Sequence, residues 1–290
     1  MELAQQLMNG IALGSAYALV ALGFSMVYGL LFFINLPHGE VMMVGAYLAL
    51  GALALGLPAP VAIIVAIVAT AGLGVAIEKV AYRRLRRARR LAPVLSALGL
   101  VLVLQNVVRI VAGPQTMSFP PVLGSHSTQF LGVQVASSVV WTIVIAVALL
   151  IALEFFARHS DTGIAIRAAS EDTNAAILMG ISPDRVISIA FAIGSGLAAV
   201  AGVLLAARYG AVSPFMGFPV MLKAFAACVL GGIGNLRGAV VGALIIGVAE
   251  VMAGAYIGGI YQDLAAFSVL VAALLFFPTG VLRGRTEAKV

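Results

Sequence analysis

Residues 158–185 read RHSDTGIAIRAASEDTNAAILMGISPDR and form the only long polar interruption in the second half of a very apolar chain. Within this stretch, apolar residues recur among charged ones from Ile164 to Met179, which predicts a small amphipathic helix. Gly180 ends that helix, and Pro183 stands where a new helix would begin. A short helix held between two long apolar segments has two uses: it rests on a lipid interface, or it docks into a groove of a partner protein.

The composition indicates that lipid surrounds most of the chain. Of 290 residues, 62% are hydrophobic and 10% are charged, whereas a soluble domain carries roughly a quarter charged residues. The net charge of +6 does not point to nucleic acid, because the arginine cluster of residues 83–90 alone supplies six positive charges. The one cysteine, Cys228, excludes an intramolecular disulfide and fits a small buried residue.

Eight or nine apolar segments follow one another along the chain. They predict an all-α polytopic membrane protein that forms a single transmembrane domain over residues 1–290. Proline and glycine interrupt the apolar pattern near residues 35–40 and 231–238. A backbone break at membrane depth is tolerated only inside protein or beside a cavity. We therefore predict broken or re-entrant helices at both places.

Basic residues predict the orientation of the chain. The positive-inside rule places the basic loop of residues 83–90 in the cytoplasm. Counting spans from there puts the loop of residues 113–138 outside and the polar stretch of residues 158–185 inside. The basic residues after position 280 place the C-terminus in the cytoplasm, and an odd number of spans then places the N-terminus outside. Several prolines in the outer loop indicate that it packs as a small cap.

The sequence contains no recognisable enzyme motif. It has no nucleotide-binding loop, no H-E-x-x-H motif and no paired cysteine ligands. Its three histidines, His38, His126 and His159, lie in separate regions and have no metal-binding spacing. We therefore predict a protein that is not an enzyme and binds no metal or cofactor itself, so that any energy from ATP must come from a partner.

Polar and small residues at the two breaks are candidates for lining a substrate path, because interrupted segments in corresponding halves of a transporter mark such paths. Simpler roles remain open: asparagines close turns, His38 caps a helix end, and glycines permit tight bends. The two breaks also resemble each other in sequence, as a structural repeat would. The candidates are Asn35, His38, Gly39, Gly231, Gly232, Gly234 and Asn235.

Several motifs in this order resemble one family over nearly the whole chain. They are NGIALGSAYAL at residues 9–19, INLPHGE at 34–40, RAASED at 167–172, KAF at 223–225 with VLGGIG at 229–234, and PTG at 278–280. Together they resemble the branched-chain amino acid ABC transporter permeases of the LivH type. The loop of residues 113–138 departs most from that family's pattern.

The resemblance implies a multi-pass permease subunit of the bacterial inner membrane. It implies four kinds of partner: a second homologous permease, two cytoplasmic ATP-binding subunits that use ATP and Mg²⁺, a periplasmic substrate-binding protein, and membrane lipid. Leucine, isoleucine or valine would be the substrate. The polar stretch would hold a coupling helix near residues 166–180 that sits in a groove of one ATPase. Its implied coupling residues are Arg167, Ala169, Glu171, Asp172, Ala175, Ala176 and Gly180.

Alternatives stay open for the substrate, for the transport mechanism and for the contact of the coupling helix. Related permeases serve urea, amides or other amino acids, so the departing loop leaves the substrate unsettled. A stand-alone secondary transporter would need an acidic residue within the membrane for ion coupling, and Glu250 is the one plausible candidate. A passive channel is a third possibility, although the chain lacks a repeated ring-forming motif. For the coupling helix, Glu171 and Asp172 favour a protein groove, because an anionic inner leaflet would repel them.

Overall fold

The computed structural model describes residues 2–86, 91–124, 126–130, 133–276 and 280–281. The described part is mostly helical, which confirms the predicted all-α class. Its α-helices are α1 Glu2–Leu31, α2 Pro37–Ala54, α3 Ala59–Ile77, α4 Leu91–Ala112, α5 Ser137–His159, α6 Asp161–Glu171, α7 Thr173–Leu178, α8 Pro183–Tyr209, α9 Gly217–Gly231, α10 Leu236–Tyr256 and α11 Gln262–Phe276. A π-helical turn, Glu78–Tyr82, and a 3-10 turn, Arg83–Leu85, extend α3, and a 3-10 turn, Gly259–Tyr261, precedes α11.

Seven helical segments among the described residues are long and apolar enough to cross a membrane. They are α1, α3 with its extension, α4, α5, α8, α10, and α11 with the turn before it. Two more apolar helices, α2 and α9, are not among these seven; α9 has 15 residues and α2 begins with the polar turn of His38 and Glu40. The nine together agree with the predicted eight or nine segments.

The two ends of the bundle differ in chemistry. One end, here called the basic end, carries Arg83, Arg86, Arg158 and Arg237 in ion pairs. The opposite end, here called the strand end, carries four short strands, β1 Met117–Ser118, β2 Ser127–Phe130, β3 Val133–Ala136 and β4 Ala211–Val212. β1 pairs with β4 and β2 with β3, both antiparallel. The described residues of the loop 113–138 therefore pack as a cap, as predicted. The short strands within this loop were not predicted.

The core of the bundle includes α1 and α8, which are buried along most of their lengths, together with most of α9 and much of α2, whereas α4, α5 and α11 are mostly exposed. Small residues make this possible, because they let helix backbones approach closely in the membrane. A side chain on Gly14 would lie 2.7 Å from the Leu244 Cα of α10. A side chain on Gly23 would lie at the same distance from the Gly194 carbonyl oxygen of α8.

Both predicted helix breaks are present. The first separates α1 from α2, and Phe32 within it has a positive φ of 54°. The second separates α9 from α10, and Gly232 and Gly234 adopt φ values of 101° and 83°. Residues other than glycine rarely adopt such backbone angles, which explains the glycines of the second break. The polar stretch also ends as predicted, because Gly180 has a φ of 82° and Pro183 begins α8.

The single coupling helix predicted near residues 166–180 is wrong in one respect: the stretch forms two helices, α6 and α7. Asp172 divides them in an extended conformation, with φ −148° and ψ 106°. Its carboxylate accepts hydrogen bonds from the backbone N–H groups of Asn174 and Ala175, at 2.8 and 3.1 Å, and so caps α7. The apolar periodicity continues across the interruption, which is why the pattern predicts one helix.

Candidate functional site

The coupling segment, α6 and α7 together, is fixed to the bundle by its small and apolar face. Ile166, Ala169 and Ala176 are buried and belong to the main hydrophobic core. Ser160 caps α6, because its hydroxyl accepts a hydrogen bond from the Gly163 N–H at 2.9 Å. The coupling segment thus connects the end of α5 to the start of α8, and buried contacts on one side fix it to the bundle.

The end of α7 carries an exposed apolar surface. Ile177, Leu178 and Met179 are 51%, 88% and 82% exposed, respectively, and are here called the α7 tip. They directly follow the buried anchor Ala176 at the C-terminal end of α7. Exposed apolar clusters of this kind mark contact sites for another protein or a membrane.

The structure divides the predicted coupling residues into two groups. Arg167, Glu171, Asp172, Ala175 and Gly180 are exposed. Ala169 and Ala176 are 2% and 3% exposed and anchor α6 and α7 in the core, and their predicted coupling role stays a prediction. Small residues suit this anchoring, because they let both short helices approach the bundle closely. The α7 tip, by contrast, was not singled out from the sequence.

A buried carboxylate ties α3 to the helix that follows the coupling segment. Glu78 has no exposed side-chain surface and binds Arg83 at 3.0 Å and also Arg86. Ser188 of α8 donates a hydrogen bond to Glu78 at 2.7 Å, and Asp184 binds Arg86 at 2.6 Å. The start of α8 therefore cannot shift without straining this network. Arg84 of the same cluster is exposed, and the arginines at positions 87, 89 and 90 lie outside the described residues.

The first break holds three buried polar side chains. The Tyr82 hydroxyl donates a hydrogen bond to Oδ1 of Asn35 at 3.0 Å. His38 packs against Gly23 inside the bundle, and its Nε2 atom has no hydrogen-bond partner among the described residues. Glu40 is fully buried; Oε1 accepts a hydrogen bond from Gln105 at 2.9 Å, whereas Oε2 has no partner in the described part of the chain.

The first turns of α2 and α9 meet inside the bundle. A side chain on Gly39 would overlap the backbone of Gly217 and approach the Met221 Cβ to 2.5 Å. Glu40 lies at the same contact, where a side chain on Gly217 would meet its Oε2 atom at 2.6 Å. The first turns of two helices therefore converge around one carboxylate.

The second break is a close backbone contact. A side chain on Gly231 would overlap the Gly238 carbonyl group, so α9 and α10 touch without any intervening side chain. Asn235 begins α10, and its Oδ1 accepts a hydrogen bond from the Gly238 N–H at 3.1 Å. Val281 donates its N–H to the Leu230 carbonyl at 2.8 Å, which brings the chain after α11 to this break.

The two breaks do not form one site. Gly39 contacts the first turn of α9, whereas Gly231 lies at its last residue, about 21 Å away at 1.5 Å per residue. The two asparagines also act differently, since Asn235 caps a helix and Asn35 accepts from a tyrosine. The substrate-path role of the seven candidate residues stays a prediction. Among the described residues, no three His, Cys, Asp or Glu side chains are placed to hold a metal ion.

Comparison with known proteins agrees with these features. The family model described as "Branched-chain amino acid transport system / permease component" matches residues 6–278. The chain belongs to this permease family. It is 41% identical to the high-affinity branched-chain amino acid transport system permease protein LivH of Escherichia coli (strain K12), over 98% of this chain and 96% of that protein. The corresponding protein BraD of Pseudomonas aeruginosa is also 41% identical, over 98% of this chain and 97% of its own length.

A solved structure supports the fold alone. The chain aligns with "PsaBC from Streptococcus pneumoniae in complex with Fab" at a TM-score of 0.54 and 13% identity, over 95% of this chain and 92% of that one. The resemblance of the sequence motifs to the permease family is thus confirmed over the full length, and the helical architecture has a counterpart among solved structures.

One buried ion pair of this chain was not predicted from the sequence. Lys223 of α9 binds Glu250 of α10 at 2.6 Å, and the Tyr17 hydroxyl of α1 donates to the same carboxylate at 3.0 Å. Lys223 also binds the exposed Asp263 at 2.8 Å. Glu250 is thus not an isolated acid within the membrane. The signal was present as the lysine in an apolar segment, but nothing in the sequence showed which of the acids it meets.

Proposed function

We propose that this chain is the permease subunit of an ATP-driven importer for branched-chain amino acids. The observation that carries the proposal is the full-length similarity to LivH and BraD, which are permease proteins of high-affinity branched-chain amino acid transport systems. Because the alignment extends over both chains almost completely, the same fold is available for the same task.

The driving force would come from partner subunits. The sequence carries no nucleotide-binding motif, so two ATPase subunits would bind ATP and Mg²⁺. A second homologous permease would complete the membrane part, and a periplasmic binding protein would deliver the substrate. The positive-inside rule supports a bacterial inner-membrane location with the basic end and the C-terminus in the cytoplasm.

The coupling segment is where the ATPases would act. In this proposal the exposed α7 tip enters a groove of one ATPase, and the charged residues Arg167, Glu171 and Asp172 flank the contact. Closure of the ATPase dimer would move the tip. The buried anchors Ala169 and Ala176 would pass that movement to the bundle, because they share its core.

The geometry at Glu250 does not favour the stand-alone transporter. Its one candidate for ion coupling, Glu250, already has a cation at 2.6 Å and a hydroxyl donor at 3.0 Å. A carboxylate neutralised by a buried lysine has no need of a second cation.

Competition for uptake tests the substrate. Bacteria that depend on this system should take up labelled leucine, and excess isoleucine or valine should suppress that uptake. Urea or a short-chain amide should leave it unchanged. Suppression by urea or amides, without suppression by isoleucine and valine, would assign the permease to another substrate class of the family.

A further inference from the structure

Two neighbouring cavities at the basic end share four lining residues, and together they are here called the amphipathic groove. The larger has a volume of about 540 Å³ and the smaller about 340 Å³. Glu154, Arg158, Leu236 and Arg237 line both. The groove passes between α5 and α10 and reaches the underside of α6.

The two parts of this groove differ in polarity. The larger part is lined chiefly by apolar side chains of α1, α5 and α10, namely Leu22, Leu150, Ile151, Leu153, Phe155 and Val240. The smaller part is lined by polar groups that include Arg167, Ser170 and Glu171 of α6 and Ser25 of α1. An occupant that fits both parts must therefore join a long apolar portion to a polar head.

The charges around the head position favour an anion. Arg158 and Arg237 both bind the same oxygen of Glu154, at 2.7 and 2.8 Å, and their side chains are 49% and 67% exposed. Each guanidinium therefore keeps donors that are free to turn to a ligand. Three arginines and two carboxylates line the groove, which leaves a net charge of +1 with His159 neutral.

We propose that the amphipathic groove binds one anionic phospholipid. One of its two acyl chains lies along the apolar part, and its phosphate lies between Arg158 and Arg237. The net charge of +1 complements the single negative charge of a phosphodiester headgroup, whereas a zwitterionic lipid has no net charge to match. Free phosphate would leave the apolar part without an occupant. Basic pockets between membrane helices on the cytoplasmic side bind lipid headgroups in the same way.

This lipid would connect the coupling segment to the bundle. Arg167 and Ser170 of α6 form one wall of the smaller cavity, and α1 and the start of α10 form the other. A bound headgroup contacts both walls and so reduces the independent movement of α6. The site goes beyond substrate transport, because it does not depend on which substrate the permease carries.

Native mass spectrometry of the full-length protein, with the subunits that copurify, tests this site. The protein is exchanged into micelles that contain phosphatidylglycerol or phosphatidylcholine with the same acyl chains. We expect one tightly retained phosphatidylglycerol per chain and much weaker retention of phosphatidylcholine. Replacing Arg158→Gln and Arg237→Gln together should lower phosphatidylglycerol retention by about tenfold or more, because charge-assisted hydrogen bonds are lost.

A matched control separates the site from general charge. Arg84→Gln with Arg185→Gln removes the same charge at the same end of the bundle, and these exposed arginines line neither cavity. This control should retain phosphatidylglycerol as the unchanged protein does. Phosphatidylglycerol should also slow hydrogen exchange in α6 of the control but not in the Arg158/Arg237 variant.

A second variant leaves the arginines intact. Val240→Phe narrows the apolar part and should also reduce retention, while glycerol 3-phosphate, a headgroup without acyl chains, should bind to neither protein. Equal retention of both lipids by the unchanged protein would overturn the proposal, as would undiminished retention by the Arg158/Arg237 variant. A groove that excludes lipid and is covered by a copurifying subunit would assign it to a protein contact and overturn the proposal too.

Discussion

At the scale of single residues, the buried pair of Lys223 and Glu250 has unequal partners. Lys223 keeps a second carboxylate, Asp263, at 2.8 Å, whereas Glu250 keeps only the Tyr17 hydroxyl once the lysine is removed. Their side chains are 8% and 3% exposed, so water cannot replace a lost partner easily. Removing one member of a buried pair generally costs about 3–5 kcal/mol, because it leaves a charge uncompensated.

We therefore predict that Lys223→Met lowers the free energy of unfolding by about 3–5 kcal/mol, and that Glu250→Gln lowers it clearly less. Thermal unfolding of the purified protein in detergent measures both. The double variant, Lys223→Met with Glu250→Gln, should recover part of the loss, because no bare carboxylate remains. Equal costs for the two single variants would contradict the contacts described for Asp263.

Other features at this scale could be read from the sequence only in part. Gly231 was assigned a backbone role, and the contact with Gly238 agrees with it. The Lys223–Glu250 pair could not be found, because its members lie 27 residues apart on different helices. The contact between Glu40 and the start of α9 could not be found either. It is a contact between distant parts of the chain, which no local pattern records.

At the scale of elements, the division of the coupling segment depends on Asp172. An aspartate at a helix N-cap accepts hydrogen bonds from the first free N–H groups, and losing such a cap costs about 1 kcal/mol. Periodicity shows the apolar face of a helix but does not show where a polar residue leaves the helix to cap the next one. For that reason the start of α8 at Pro183 was predicted correctly and the start of α7 was not.

We predict that Asp172→Ala speeds backbone hydrogen exchange in α7 and leaves α6 nearly unchanged. Ser160→Ala is the matched control: it removes the cap of α6 and should speed exchange there while sparing α7. Hydrogen–deuterium exchange followed by mass spectrometry resolves the two helices. Faster exchange in both helices for either variant would show that α6 and α7 unfold as one unit.

The α7 tip allows a test of partner docking that leaves the fold intact. Leu178 and Met179 are 88% and 82% exposed, so replacing both with serine removes no core contact. We predict that Leu178→Ser with Met179→Ser keeps the melting temperature within about 2 °C but reduces copurification of the ATPase subunits at least tenfold.

An exposed leucine at the strand end provides the control for this variant. Leu55 is 84% exposed, and Leu55→Ser should leave copurification unchanged. Undiminished copurification of the Leu178/Met179 variant would mean that the tip is not the docking surface and that the apolar residues face lipid instead.

At the scale of the whole molecule, the helices divide into an inner group and an outer layer. α1 and α8 are buried within the single chain, whereas α4, α5 and α11 expose most of their apolar surface. Lipid or a second permease can cover that surface equally well by composition. The predicted number of segments was correct because apolar length is local information. Which helices form the core follows from glycine contacts between distant segments, such as Gly23 with Gly194.

Reconstituted transport most directly tests whether this chain accumulates substrate only when partner ATPase subunits hydrolyse ATP. Proteoliposomes should accumulate labelled leucine against a gradient when they contain this chain, a second permease, the ATPase subunits, the binding protein and ATP. Vesicles with this chain alone should accumulate none, with or without an ion gradient. Accumulation by the lone chain under an ion gradient would contradict the assignment and identify a self-sufficient transporter.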